Sequence, residues 1–227
     1  MKVLGIETAT RFVSVALIDE MRLIAEYRVA LEMRQAERLL PLIDTMMKEA
    51  QVALSDIDAI AVSIGPGSFT GLRVGLAVGK GLAMGRGLPL LPIPTLEAFA
   101  MPFHQTDAVV VPMIVSRKDE VYWAMFSKEG TRLSDDSAGS VENLLDAVRP
   151  EEKVLFVGEG ALLHQDKIIK DFKGRSLFPA ISLQFPLASS VAQIGLVRLM
   201  NGETPSAEKV VPSYLHQWNP VKMQGRS

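Results

Sequence analysis

Ser63-Ile64-Gly65-Pro66-Gly67-Ser68-Phe69-Thr70-Gly71-Leu72-Arg73 joins an apolar run to the most glycine-rich segment of the chain. The run before it carries Ile57, Ile60, Val62 and Ile64 with Ala59 and Ala61 between them, and reads as a buried strand over Ile57 to Ile64. Gly65-Pro66-Gly67 ends it abruptly: Pro66 fixes one backbone angle, and the flanking glycines reach conformations barred to other residues. Ser68 or Thr70 then caps a helix over Thr70 to Met84 by accepting hydrogen bonds from first-turn amides that have no partner inside the helix. Within it Gly71, Gly75 and Gly79 recur every four residues and share one face. Each costs roughly 1 kcal/mol relative to alanine, about 3 kcal/mol for the set, so close approach by something else is the expected compensation. The chain's own sheet, a phosphate at the helix start and a partner protein's helix are the three candidates.

Outward from that stretch, Val3-Leu4-Gly5-Ile6 is a short strand and Glu7-Thr8-Ala9-Thr10 a polar turn. Strands over Phe12 to Ile18 and Leu23 to Val29 follow, joined by a turn at Asp19-Glu20, which makes an antiparallel meander. Gln35 to Gln51 is helical. Its Leu39, Leu40, Leu42, Ile43, Met46, Met47 and Ala50 fall within about 160°, where covering one sheet needs only about 100°. The surplus fits either a second apolar contact or a helix sunk more deeply in its own core. After the glycine helix, the prolines of Leu88 to Pro94 restrict that strand to an edge or a strand end. The order β-β-β-α-β-α-β implies a mixed sheet with helices against it.

Thr95 to Ala100 starts a helix, and the region Met101 to Asp107 is the expected division, giving lobes 1–104 and 105–227. The second lobe reads as strands over Ala108 to Val115 and Glu120 to Phe126, a polar stretch Lys128 to Ser140, a helix Val141 to Arg149, a strand Val154 to Val157 and a helix near Ala161 to Asp171. Ser189 or Ser190 caps a last helix through Val191, Ile194, Val197 and Leu199, ended by Asn201-Gly202. The tail after Trp218 is polar and expected to fray.

A chain of 227 residues with 48% apolar and 22% charged residues has enough material for one or two globular domains. Its 24 basic and 26 acidic residues nearly cancel, which leaves no basic surplus to grip a phosphate backbone. Nucleic acid is therefore expected to be held by something else. The absence of cysteine excludes disulfides and thiolate chemistry. No signal-peptide core precedes Glu7 and no apolar run is long enough to cross a bilayer, so a cytoplasmic protein is expected.

Gly67-Ser68-Phe69 lacks the spacing of a nucleophile elbow and has no histidine near it, which disfavours a serine hydrolase. His104, His164 and His216 are isolated, against a metal site. Gly75-Leu76-Ala77-Val78-Gly79-Lys80 is one residue short of a P-loop and lies inside a helix. What remains is nucleotide binding between the lobes, with Glu7 and Thr8 after the first strand and Gly158-Glu159-Gly160-Ala161 after a late strand placed to hold metal and phosphates.

The glycine motif Ser63 to Leu76, the N-terminal Leu4-Gly5-Ile6-Glu7-Thr8 and Glu37-Arg38-Leu39-Leu40-Pro41-Leu42-Ile43 resemble the bacterial TsaB, or YeaZ, family. Weaker matches are Glu120-Val121-Tyr122-Trp123, Gly158-Glu159-Gly160 and Tyr214-Leu215. The resemblance implies an α/β fold of two actin-like, heat-shock-protein-like lobes (the ASKHA class, ribonuclease H-like) with mixed sheets flanked by helices. It implies a non-catalytic subunit in the synthesis of threonylcarbamoyladenosine at position 37 of tRNAs that read codons beginning with A. The catalytic relative TsaD is the implied heterodimer partner, TsaE an ATPase that joins the pair, and a homodimer the state of the subunit alone. In the family the contact runs through helices that correspond to Gln35 to Gln51 and Thr70 to Met84, so a charged residue at Gly75 is expected to break the complex and spare the fold. Two readings of nucleotide stay open, ATP or ADP held by this chain or only by the complex. The family commonly has aspartate where this chain has Val115, and often aspartate at Glu7. The alternatives are an ATP-dependent kinase or acyl transferase of the same fold, or a protease acting on TsaD.

Overall fold

The computed structural model describes residues 1–31, 35–117, 119–148 and 153–215. β1 (Lys2–Glu7), β2 (Phe12–Asp19) and β3 (Leu23–Ala30) form the meander. After α1 (Gln35–Glu49), β4 (Ala59–Gly65) lies parallel to β1. After α2 (Phe69–Arg86), β5 (Leu90–Pro94) lies parallel to β4. The sheet order β3-β2-β1-β4-β5 puts the proline-bearing strand at an edge, where a missing amide costs no ladder bond.

Alternation along the strands sorts the two faces of this sheet. Leu4, Ile6, Val13, Val15, Leu17, Ile60 and Val62 pack with Leu39, Ile43 and Met46 of α1 and Leu76 of α2. Val3, Ala59, Ala61, Leu91 and Ile93 face the other way, onto Val191, Ala192 and Leu196 of the last helix. The small residues on that face set its depth, since a Cβ at Gly5 would collide with the Ala188 carbonyl.

The second half repeats the plan. After α3 (Thr95–Ala100) come β6 (Val109–Arg117), β7 (Glu120–Trp123), β8 (Ser137–Ser140), α4 (Val141–Ala147), β9 (Val154–Val157), α5 (Glu159–Leu163), α6 (Gln165–Phe172), β10 (Ser176–Leu177) and α7 (Ala188–Met200). Sheet order is β10-β9-β6-β7-β8, with β6 parallel to β9 and antiparallel to β7. One face packs on α4 and α6 through Leu144, Ile168 and Phe172, the other on α3 through Leu96 and Phe99.

The sequence places everything after residue 104 in the second lobe, and the structure corrects that. α7 lies on the first sheet, and the chain beyond it stays there: Leu90 N donates to Pro205 O (3.2 Å), Ala207 and Val210 join the first core, and Ser213 N donates to Ile64 O (2.7 Å). The first lobe is therefore built from both ends of the described chain. A second correction concerns caps. Ser68 caps α2 as expected, accepting from Gly71 N at 3.2 Å. At α7 neither Ser189 nor Ser190 caps; the Ser14 hydroxyl accepts from Ala188 N (3.1 Å) and the Glu26 carboxylate from Ser189 N (2.9 Å). Strand β8 occupies the end of the stretch read only as polar, and β7 stops three residues before Phe126, which keeps isolated bridges to Val110 and Arg132. Arg149, His216 and the tail after Trp218 lie outside the described residues. Among the described residues no helix is long and apolar enough to cross a membrane.

Candidate functional site

The glycine face of α2 is occupied by the chain itself. Thr8, at the end of β1, donates its hydroxyl hydrogen to Gly71 O (2.8 Å). A Cβ at Gly71 would collide with the Thr8 carbonyl, and one at Gly75 with the Thr8 hydroxyl; at Gly79 it would crowd Leu90. Of the three candidates for close approach, the own-sheet reading holds. The expectation that a charge at Gly75 spares the fold is overturned, because Gly75 is buried against Thr8.

An outer face of the same helix carries a second small-residue row, Ala77, Gly81 and Gly85, again at four-residue spacing and exposed. A Cβ at Gly81 or Gly85 would meet nothing within 4 Å. Met84, beside this row, is 57% exposed. On the neighbouring helix, Leu39, Ile43, Met46 and Met47 are buried in the first core, which accounts for most of α1's apolar arc; Leu40 is left 49% exposed. Between them Leu40, Ile43, Met47, Leu54 and Leu82 line a shallow apolar groove of about 320 Å³. Asp44 and Lys48 also line the groove and pair with each other at 2.7 Å, so the outer side of the helix pair is a small-residue row and a few apolar side chains set among charged ones, uncovered within this chain.

A cleft of about 580 Å³ separates the lobes. Arg11 and Ser68 line it from the first lobe, Ser116, Arg117 and Glu159 from the second. Arg11 and Glu159 form an ion pair across it at 3.4 Å. Of the residues read from sequence as nucleotide contacts, Glu159 alone opens to this space. Glu7 is fully buried one hydrogen bond beneath the floor, its Oε1 accepting from the Ala9 amide at 2.6 Å. Burial pushes its carboxyl up to about 7, against the pull of the Ala9 amide and the weaker pull of the Ser63 hydroxyl. Ser63 lies close enough to affect that carboxyl, yet Oε2 has no hydrogen-bond partner of good geometry. Thr8 is sealed under α2. Gly158 donates its amide to Gln184 Oε1 (2.6 Å), with no room for a side chain beside Met113 O, and Gly160 is packed against Met113 and Val121. Val115 brings no carboxylate to the cleft. Of the two carboxylates read as metal contacts, Glu7 is buried away from the cleft, and Glu159 faces it already paired with Arg11. Among the described residues no three His, Asp or Glu side chains gather to hold a metal ion.

Sequence reasoning gave no role to a C-terminal strap that closes one side of the cleft. Ser213 crosses Gly65 so closely that a Cβ there would collide with its carbonyl. The Tyr214 ring lies 5.1 Å from that of Phe69 at the start of α2, and Arg73 Nε donates to Tyr214 Oη (3.1 Å) while its guanidinium covers the Phe69 ring at 3.7 Å. The readable signal was Gly65 itself, a glycine at positive φ whose neighbour lies far along the chain.

Two lobes, each a mixed sheet flanked by helices, facing each other across a cleft, define the actin-like ASKHA class. The family model described as TsaD, tRNA N6-adenosine threonylcarbamoyltransferase, matches residues 31–203. The tRNA threonylcarbamoyladenosine biosynthesis protein TsaB of Bacillus subtilis is 28% identical over 95% of this chain and 94% of its own. A solved structure titled YeaZ from Pseudomonas aeruginosa superposes with a TM-score of 0.78 at 28% identity, covering 94% of this chain and 99% of that one. Another from the same organism, described as similar to the peptidase YEAZ, reaches 0.81 at 28% identity over 95% and 99%. The chain belongs to the tRNA N6-adenosine threonylcarbamoyltransferase family, in its TsaB, or YeaZ, branch.

Proposed function

We propose that this chain is a non-catalytic subunit in the making of threonylcarbamoyladenosine at position 37 of tRNAs that read A-starting codons. It acts by binding a TsaD subunit through the outer side of α1 and α2, with TsaE joining the pair. Alone, it pairs with a second copy through the same side. The observation that carries this reading is the row Ala77, Gly81 and Gly85, exposed beside Met84 with open space above it. A small-residue row lets a partner helix approach closely, and exposed apolar side chains next to it supply the area to be buried. A sealed Glu7 and an apolar Val115 support a subunit that leaves the chemistry to its partner. The near-zero net charge supports tRNA being held elsewhere in the complex.

Gly81→Arg tests this where Gly75 cannot, because nothing lies within 4 Å of the new Cβ and the fold should survive. Tagged Gly81→Arg is expected to lose a co-expressed TsaD subunit on affinity purification at unchanged thermal stability. Val197→Arg, on the exposed side of α7, is the control and should keep it. Retention of TsaD by Gly81→Arg would place the contact elsewhere.

A further inference from the structure

Four consecutive residues between β1 and β2 join α2, α1 and the second lobe. Thr8 fills the hollow left by Gly71 and Gly75 and donates to Gly71 O. Ala9 O accepts from Ser68 N (2.7 Å) at the start of α2. Thr10 O accepts from Gln35 Nε2 (3.1 Å) at the start of α1. Arg11 points the other way: its guanidinium pairs with Glu159 on α5 at 3.4 Å and lies over the Phe185 ring at 5.0 Å. Its carbonyl accepts from Leu31 N (2.9 Å), just beyond β3.

The turn itself has little freedom. Ala9 N is tied to the Glu7 carboxylate, and Thr8, Ala9 and Thr10 are all buried. A well-packed turn moves as a unit rather than deforming residue by residue. A displacement of the second lobe that pulls on Arg11 is therefore passed to the first turns of both helices. We propose that the Thr8 to Arg11 turn couples the position of the second lobe to the seating of α1 and α2, with the Arg11–Glu159 pair as its connection to the second lobe. The two states are the pair made and the pair broken, which gives the coupling a physical element rather than mere proximity. What this means for a partner rests on the function proposed above; the coupling within the free chain does not.

Hydrogen exchange on the free, full-length chain tests it. Glu159 touches the turn only through Arg11 in the bonds described, so Glu159→Ala perturbs the turn without altering it. Amides in Gln35 to Leu39 and Gly71 to Gly75 are expected to exchange about two- to five-fold faster, the range that the measured worth of an exposed ion pair allows. Arg11→Ala should do the same, and the double variant should add nothing to the larger single effect. Glu159→Gln repeats the test with the side chain's size kept. Glu142→Ala, which breaks the Lys167 pair inside the second lobe, should leave both helices unchanged. Faster exchange confined to α5, additive single effects, or an equal response to Glu142→Ala would each overturn the proposal. Loss of the TsaD contact in Gly81→Arg reads a separate claim, so either can fail alone.

Discussion

Glu7 places a titratable group where water cannot reach it, and burial raises its carboxyl from 4.5 to about 7. The sign follows from linkage. The folded state holds this proton more tightly than the unfolded chain, so the contribution is whole below about pH 4.5 and is lost as pH rises through about 7. A shift of that size corresponds to roughly 3 kcal/mol. Glu7→Gln, which copies the neutral form, should melt at a temperature that changes less between pH 5 and 8 than that of the native chain. Parallel melting curves for the two proteins would show that Glu7 does not titrate in this range. The glycines of α2 make an opposed pair of predictions at the same scale. Gly75→Ala drives a methyl into Thr8 and should destabilise by about 1–3 kcal/mol despite better helix propensity. Gly85→Ala meets open space and should stabilise by up to about 1 kcal/mol. Chemical denaturation of the two variants checks both signs.

At the scale of elements, α7 begins without a local cap and takes its acceptors from β2 and β3. Ser14→Ala should therefore cost about 1–3 kcal/mol by stranding the buried Ala188 amide, while Ser189→Ala should be close to neutral in the same denaturation experiment. This cap shows where sequence reading stops: its partners stand 174 positions apart, and no local pattern joins them. The same holds for α2. Its glycine row announced close approach, but Thr8, the residue that approaches, lies 63 positions before Gly71. Elements with strong periodicity were legible, because a buried strand or a one-sided helix must repeat its apolar residues at the period of its backbone. β8, Ser137-Ala138-Gly139-Ser140, and the two-residue β10 offer no such repeat, and pairing with neighbours alone makes them strands. The strap was hidden for the same reason, since Val211 to Leu215 is held by Ile64, Phe69 and Arg73 rather than by its own pattern.

In the whole molecule, both ends of the described chain build one lobe, the middle builds the other, and the inner glycine row of α2 seats the helix while its outer row is left bare. The expected nucleotide contacts fell mostly beneath the cleft rather than in it, because a residue at a strand end can point into the core as readily as into a pocket. If a TsaD subunit binds the outer side of α1 and α2, as proposed, methionine reactivity reads the contact most directly. Hydroxyl-radical oxidation of the free chain, diluted until it is monomeric, should label Met84, Met21 and Met200, which are 57%, 89% and 58% exposed. In the complex with TsaD, Met84 is predicted to be protected severalfold while Met21 and Met200 react as before. Unchanged oxidation of Met84, or protection of Met200 in its place, would rule this contact out.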